Sequence, residues 1–287
     1  MSDVVELVEQ PSVLQGFIDK WLVAQPQQRI ALVFVDGKRY PGHVALAALE
    51  QELISAAYGI REPQVAIAKL NWWAEELADA PETGGRHPLT QVLFDDDRAQ
   101  AIDTATWVAP VLAAMAQLEQ GTPPDFAGQL AAAEPLHGAL ARLETRWWYG
   151  DKAPTERAVR VAVLNHLTNA LLRLEKDAER DCLPLPMAQL ARQGLSRAQL
   201  SKPSVERQQA VKAQLQDLAA SWRESAKLAG PLSVFRALES RRTRALVRRA
   251  ARTSDALVTL REYQASTHPV AALQAWQAAL AWRRQAS

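Results

Sequence analysis

The chain has 287 residues, of which 48% are hydrophobic and 23% are charged, a balance typical of a folded globular protein and not of a disordered or fibrous one. Its 33 Lys and Arg against 32 Asp and Glu leave a net charge of +1, so no overall positive field favours nucleic acid as a partner. Glycine is scarce, with 12 residues, which favours an all-α fold. We expect a single domain over residues 1–287, with residues 1–40 peripheral to it.

Three features bear on cellular location. The single Cys182 cannot form an intrachain disulfide, and the acidic first ten residues lack the pattern of a secretory signal. The most apolar stretch, residues 107–118, is shorter than a membrane span requires. We therefore expect a cytoplasmic protein that is soluble or peripheral to a membrane.

The N-terminal third has one ambiguous segment followed by clear helices. Residues 30–35 form a short apolar run that fits either a buried strand or a helix. Residues 44–58 have helical spacing, and Pro63 suits the first turn of a further helix that carries Trp72 and Trp73. Adjacent helical residues point about 100° apart, so one of these tryptophans is expected to line a cavity or an interface, unless both pack in the core.

A helix is predicted over residues 158–180, with a leucine stripe suited to burial. Beside that stripe, Asn165, Asn169, Arg173 and Asp177 follow one another at four-residue steps and form one polar ridge. Two interpretations are open. The ridge is either a solvated face with a weak Arg173–Asp177 pair, or the wall of a cavity.

Other polar groups are weaker candidates. The acidic run 95–97 is interpreted as a helix N-terminal cap and alternatively as a displaced metal cluster. The histidines have no ligand spacing typical of zinc sites, and no motif supports Cys182 as a nucleophile. The basic stretch from Arg236 to Arg252 is either a solvated helix face or a contact with anionic lipid or an acidic protein.

Four segments resemble a known family. Residues 69–77, KLNWWAEEL, and residues 84–89, GGRHPL, are similar to the squalene and phytoene synthases, the head-to-head prenyl synthases. Residues 45–53 resemble the first motif helix of that family and residues 167–178 resemble the second, in the same order. The resemblance implies an isoprenoid-synthase-type helical bundle around a central apolar cavity. It also implies two aspartate pairs on facing helices that hold Mg²⁺ against the diphosphate of the substrate.

The sequence departs from the family at that chemistry. Ile54 and Tyr58 occupy the positions of the first aspartate pair, and Arg173 replaces the earlier aspartate of the second pair. Only Asp177 is left, as a weak candidate metal ligand. In this respect the chain is similar to the complex I assembly factor with a phytoene-synthase-like domain, a family member without the aspartate motifs.

We therefore expect a non-catalytic isoprenoid- or lipid-binding or assembly role, with a protein partner as one option, no confident catalytic residue and no cofactor. The residues expected to line the ligand cavity are Glu50, Ile54, Tyr58, Trp72, Trp73, Asn169, Arg173 and Asp177.

Two alternatives are open. The chain could be an active prenyltransferase, with Mg²⁺ held by an unconventional set of Asp177, Glu50, Glu175 and the acidic run 95–97. It could also be a scaffold whose cavity is filled by side chains.

Overall fold

The computed structural model describes residues 13–178, 183–265 and 270–285, and this part of the chain is all-α. Cys182 and His268 lie outside the described residues. In chain order the helices are α1 Val13–Ala24, α2 Gln28–Leu32, α3 Pro41–Gly59, α4 Pro63–Thr83, α5 Pro88–Phe94, α6 Thr104–Gln117, α7 Phe126–Tyr149, α8 Glu156–Leu172, α9 Leu174–Ala178, α10 Met187–Arg192, α11 Val205–Ser225, α12 Val234–Ala250, α13 Ala256–Ala265 and α14 Ala271–Gln285. Two 3₁₀ turns occupy Asp97–Ala101 and Arg197–Gln199.

The ambiguous run 30–35 is helix and turn, so its interpretation as a strand is wrong. Its backbone bonds are local, from the Val33 amide to the Ile30 carbonyl at 3.3 Å and from the Val35 amide to the Ala31 carbonyl at 3.0 Å. The run belongs to α2 and the turn that follows it. A short apolar run fits the hydrophobic pattern of a strand and that of a helix equally well, so tertiary packing decides which of the two forms.

Proline sets the starts of three helices. Pro41, Pro63 and Pro88 each stand in the first turn of α3, α4 and α5, where the missing amide hydrogen costs nothing. Gly84 ends α4 in the left-handed conformation, with φ 78°. The helices expected over 44–58 and after Pro63 are both present.

The turn between α4 and α5 closes on a buried carboxylate. Glu76 is 1% exposed and accepts hydrogen bonds from the Arg86 amide, the His87 amide at 2.8 Å and the Thr90 hydroxyl. Burial by itself raises the pKa of Glu76, but these hydrogen bonds outweigh it and lower the pKa to about 2. Glu76 therefore has a structural role, because it holds this turn together.

The acidic run 95–97 caps a turn, as one of its two interpretations states. The Asp96 carboxylate accepts from the Arg98 amide at 3.0 Å and pairs with the Arg98 guanidinium at 2.9 Å.

The core has two main apolar clusters. One joins α1, α3 to α7 and α14, and its largest buried side chains are tryptophans. The other joins α8 with α11, α12 and α13. Helix α7 packs along α8 and links the two clusters. No helix among the described residues has the length and apolar character needed to cross a bilayer.

The described part of the N-terminal segment, residues 13–40, is not peripheral, which corrects that expectation. Trp21 is 2% exposed and packs edge-on against Phe235 of α12, with ring centroids 5.0 Å apart. The Gln28 amide donates to the Phe235 carbonyl at 3.0 Å. The first helix therefore belongs to the first apolar cluster, where it packs on α3 and α5 and reaches Phe235 of α12.

The helix predicted over 158–180 is interrupted. Its hydrogen-bonded ladder stops at Leu172, Arg173 adopts φ −99° and ψ 5°, and a short helix, α9, continues from Leu174. The interruption falls within the polar ridge, so Asn165 and Asn169 stand on α8 whereas Asp177 stands on α9.

Candidate functional site

A cavity of about 400 Å³ lies where α3, α8 and α12 meet, with α7 and the end of α1 closing it. This volume lies in the range of small-molecule sites, so the interior is not filled by side chains. The polar ridge of α8 faces this cavity, as the second interpretation of the ridge states. Six of the eight expected residues line it: Glu50, Ile54, Tyr58, Asn169, Arg173 and Asp177.

The deep side of the cavity is built around a buried cation. Arg236 of α12 pairs with Glu144 of α7, and with Glu50 of α3 at 3.2 Å between Nη2 and Oε2. The Ser233 hydroxyl donates to the other oxygen of Glu144. Burial and the neighbouring Glu144 raise the pKa of Glu50 well above its ordinary value, against the attraction of Arg236. This network ties three helices together.

A second carboxylate is held between α8 and α12. Glu239 accepts from the Asn165 amide at 2.9 Å and from the Asn169 amide at 3.0 Å. The Thr243 hydroxyl donates to the side-chain oxygen of Asn165, Oδ1, at 2.7 Å. Burial raises the pKa of Glu239, and the charge of Arg236 opposes that effect. The two asparagines of the α8 ridge therefore have a structural partner.

An aromatic stack forms another wall. Tyr58 of α3 stacks on His166 of α8 at 4.8 Å between ring centroids, and His166 stacks on His137 of α7 at 4.0 Å. Burial, followed by the charge of Arg173, lowers the pKa of His166 to about 3. Burial also lowers the pKa of His137 well below its ordinary value, with His166 and Arg236 adding to the effect. Both imidazoles are therefore neutral at physiological pH.

The mouth of the cavity carries an ion pair. The Arg173 Nε lies 3.3 Å from the Asp177 Oδ2, with the Arg173 side chain 44% exposed and that of Asp177 19% exposed. Lys176 and Arg242 also border the mouth. Cations therefore outnumber carboxylates there. A partly exposed pair of this kind is worth less than about 1 kcal/mol, so the Arg173 guanidinium is easily redirected to a stronger anion.

Apolar side chains form only part of the wall of a cavity that was expected to be apolar, because charged, amide and imidazole groups line the rest. Ile54, Leu172, Phe235 and Leu246 contribute this surface. The cavity is therefore amphipathic, with a basic mouth and an apolar strip next to the histidine stack.

Trp72 and Trp73 do not line this cavity, which corrects their placement. Trp73 is 1% exposed in the core, and its ring packs on His87 with centroids 4.7 Å apart. Trp72 is 39% exposed and meets Trp73 edge to face at 5.0 Å. Both rings contact His87 at the turn between α4 and α5, and α4 packs on α6, α5 and α3.

The unconventional metal set does not converge. Glu175 pairs with Arg207 at 3.0 Å and with Arg261 at 3.4 Å, and it does not line the cavity. The acidic run 95–97 is engaged in its own turn. Over residues 13–178, 183–265 and 270–285, no three His, Cys, Asp or Glu side chains are grouped so that they could hold a metal ion.

The donors at the two motif positions do not fit Mg²⁺. This ion requires hard oxygen ligands in octahedral geometry, usually with several carboxylates. Ile54 offers no ligand, burial raises the pKa of the Tyr58 phenol, and Asp177 is paired with Arg173. The Glu239 oxygens are occupied by amides from α8.

Sequence reasoning missed most of the cavity lining. Arg236 was grouped with a basic stretch, and His137, Glu144, His166 and Glu239 were not identified as site residues. One signal was present for α12, because Arg236, Glu239 and Thr243 recur at steps of three and four and share a face. For His137 and Glu144 the sequence carries no comparable signal.

Comparisons with known proteins agree with this architecture. The model of the squalene/phytoene synthase family matches residues 30–284. A dehydrosqualene synthase in complex with ligand has a similar structure, with a TM-score of 0.66 and 11% identity, covering 94% of this chain and 99% of that chain. The squalene synthase HpnC from Alicyclobacillus acidocaldarius has a TM-score of 0.58 and 15% identity, covering 96% and 97%. No curated protein matches the chain by sequence.

At such identities the structural similarity concerns the fold alone, whereas the family match spans most of the chain. The chain belongs to the squalene/phytoene synthase family.

Proposed function

We propose that this protein is a non-catalytic member of its family that binds an isoprenoid or lipid-like molecule with an anionic head, in a carrier or assembly role. The observation that carries the proposal is the Arg173–Asp177 pair at the cavity mouth. It puts a guanidinium where the family places an aspartate. A guanidinium binds phosphate or carboxylate oxygens directly in a bidentate fashion, so the headgroup needs no bridging metal ion.

The rest of the cavity supports the same ligand class. Lys176 and Arg242 line the cavity together with Arg173, and Ile54 and Leu246 add apolar surface to the same lining. A ligand with a charged head and a hydrocarbon chain matches that combination of surfaces. The cavity volume of about 400 Å³ suits a short chain better than two joined prenyl chains.

Ionisation of a prenyl diphosphate requires strong neutralisation of the departing diphosphate, which the family motifs supply through Mg²⁺. Arg173, Lys176 and Arg242 offer only single positive charges, one of which is shared with Asp177, in place of the Mg²⁺ ions that the family motifs supply. Binding without turnover is the expected consequence.

The test measures binding and turnover on the same sample. Farnesyl diphosphate is titrated into the purified full chain, once with Mg²⁺ and once with EDTA, and diphosphate release is assayed in parallel. We expect equal affinity in both buffers and no release. Arg173→Gln is expected to weaken binding about tenfold or more, because it removes a charge-assisted contact. Arg192→Gln, on the exposed side of α10, is the matched control.

A further variant, Arg173→Asp, places two carboxylates one turn apart and is expected to make binding depend on Mg²⁺. Diphosphate release by the unmodified protein above a heat-killed control would overturn the proposal. Loss of farnesyl diphosphate binding by the unmodified protein in EDTA would also overturn the proposal.

A further inference from the structure

Helix α14 has two apolar faces, and the fold covers one of them. Its covered face presents buried side chains to the core: Ala275, Ala278, Ala279 and Trp282. At about 3.6 residues per turn, the side chains at 273, 276 and 280 fall on roughly the opposite face. A helix that is apolar on both sides normally has both sides buried.

The uncovered face is exposed and carries large side chains. Leu273 is 52% exposed, Trp276 is 47% exposed, and Val270, just before the helix, is 53% exposed. Leu280 continues the stripe and is half-buried. We name this stripe of Val270, Leu273, Trp276 and Leu280 the outer face of α14.

Basic residues border the outer face. Arg283 and Arg284 are exposed in the last turn of α14, and the helix has no acidic residue. The Arg283 guanidinium reaches the Phe34 carbonyl at 3.3 Å, which brings the turn after α2 against this end of the helix. Val33, next to Phe34, is 75% exposed.

The turn after α2 adds further positive charge. Arg39 lies over the Tyr40 ring at 5.3 Å, and Tyr40 packs on Trp282 of α14 with ring centroids 5.0 Å apart. Lys38 is exposed beside Arg39, and Asp36 is the acidic residue of this turn. The turn therefore lies against the C-terminal end of α14, on the side of Trp282, and the turn and this helix end expose four cations and one carboxylate.

We propose that the outer face of α14 docks on an anionic lipid surface. Trp and Leu side chains suit the boundary between headgroups and acyl chains, and flanking Arg and Lys suit the anionic headgroups. The basic rim argues for lipid over a second copy of this chain, because two copies meeting here would bring like charges together. This inference is independent of what the cavity binds.

The proposed surface differs from the basic stretch between Arg236 and Arg252. Arg236 is buried in the cavity network and cannot reach a bilayer. Arg241 donates to the Gln274 carbonyl at 2.7 Å and so anchors α14. Part of that stretch therefore positions the docking helix.

The test is co-sedimentation of the full chain with two kinds of vesicle. One contains phosphatidylcholine alone, and the other contains phosphatidylcholine with about 30% phosphatidylglycerol, which makes its surface anionic. We expect binding to the anionic vesicles that weakens as salt rises. The double variant Leu273→Ser, Trp276→Ser is expected to lose about tenfold or more in affinity. Arg284→Glu is expected to lose about fivefold or more.

Leu112→Ser, at a residue that is 56% exposed on α6, is the matched control and should bind as the unmodified chain does. Circular dichroism of each variant checks the fold. The proposal is overturned if the unmodified chain ignores anionic vesicles, or if the double variant still binds them. It is also overturned if the chain forms a dimer that the double variant dissolves while vesicle binding is absent.

Discussion

Burial of the Arg236 guanidinium on the deep side of the cavity costs solvation free energy, and its ion-pair partners offset that cost. Arg236 is 8% exposed and sits between Glu144 and Glu50, which come from different helices. Charges removed from water are stable only when paired and hydrogen-bonded, and removing one partner leaves the others uncompensated.

Replacement of Arg236 by Met should therefore be strongly destabilising. We expect Arg236→Met to lower the free energy of unfolding by about 3–5 kcal/mol, measured by urea denaturation. Arg248→Met, at an exposed position on the same helix, should stay within about 0.5 kcal/mol. A triple variant that adds Glu50→Gln and Glu144→Gln should recover much of the loss. Equal, small effects for Arg236→Met and Arg248→Met would contradict the assigned network.

The sequence identified cavity residues where spacing and family motif coincide. Ile54, Tyr58, Asn169, Arg173 and Asp177 stand at four-residue steps on two motif helices, so their common direction follows from helix geometry. Residues such as Glu144 enter the cavity through contacts between helices far apart in the chain. Local pattern carries no information on such contacts, which is why these residues were missed.

At the scale of elements, Pro63 located the start of α4 correctly. Helix α3 begins at Pro41 and ends at Gly59, close to the predicted range 44–58. The break at Arg173 was not predicted, because neither proline nor glycine stands there. The helical conformation of residues 30–32, like the turn after them, is also set by tertiary packing, because the local sequence fits a strand equally well.

Helices α3 and α7 approach each other closely at a glycine. A Cβ atom on Gly42 would lie 2.5 Å from the Trp147 ring, whereas one on Gly59, at the other end of α3, would meet nothing within 4 Å. The close contact requires Gly at position 42.

We expect Gly42→Ala to lower the free energy of unfolding by about 1–3 kcal/mol, because α3 or the indole must move. Gly59→Ala should be neutral or stabilise by about 0.5 kcal/mol, since alanine reduces the freedom of the unfolded chain. Thermal unfolding of both variants measures the difference. A larger loss of stability for Gly59→Ala than for Gly42→Ala would show that α3 and α7 adjust freely at this contact.

At the scale of the whole molecule, buried neutral histidines couple folding to pH. The pKa of His166 is lowered to about 3 from an ordinary value of 6.5, so the unfolded chain binds a proton that the folded protein excludes. The stabilisation that the neutral His166 imidazole contributes is then fully present above about pH 6.5 and is lost as the pH falls toward 3. Glu50 acts in the opposite sense, because a carboxyl whose pKa is raised by folding loses stabilisation as the pH rises.

We expect His166→Gln to flatten the acid side of the stability profile. Urea unfolding at several pH values between 7.5 and 4.5 should show a slope smaller by up to about 1.4 kcal/mol per pH unit than that of the unmodified chain. Glu50 is present in both proteins, so the difference between the slopes isolates the imidazole. Identical slopes would mean that His166 is protonated in the folded state.

The ion pair between Arg236 and Glu50 joins residues 186 positions apart. During synthesis, the first wall of the cavity leaves the ribosome long before the last. Glu50 and Glu144 stay uncompensated in a nascent chain until α12 docks, and α12 in turn packs on α1 and α2. The cavity therefore forms only after α12 has docked, and no ligand can bind there before that step.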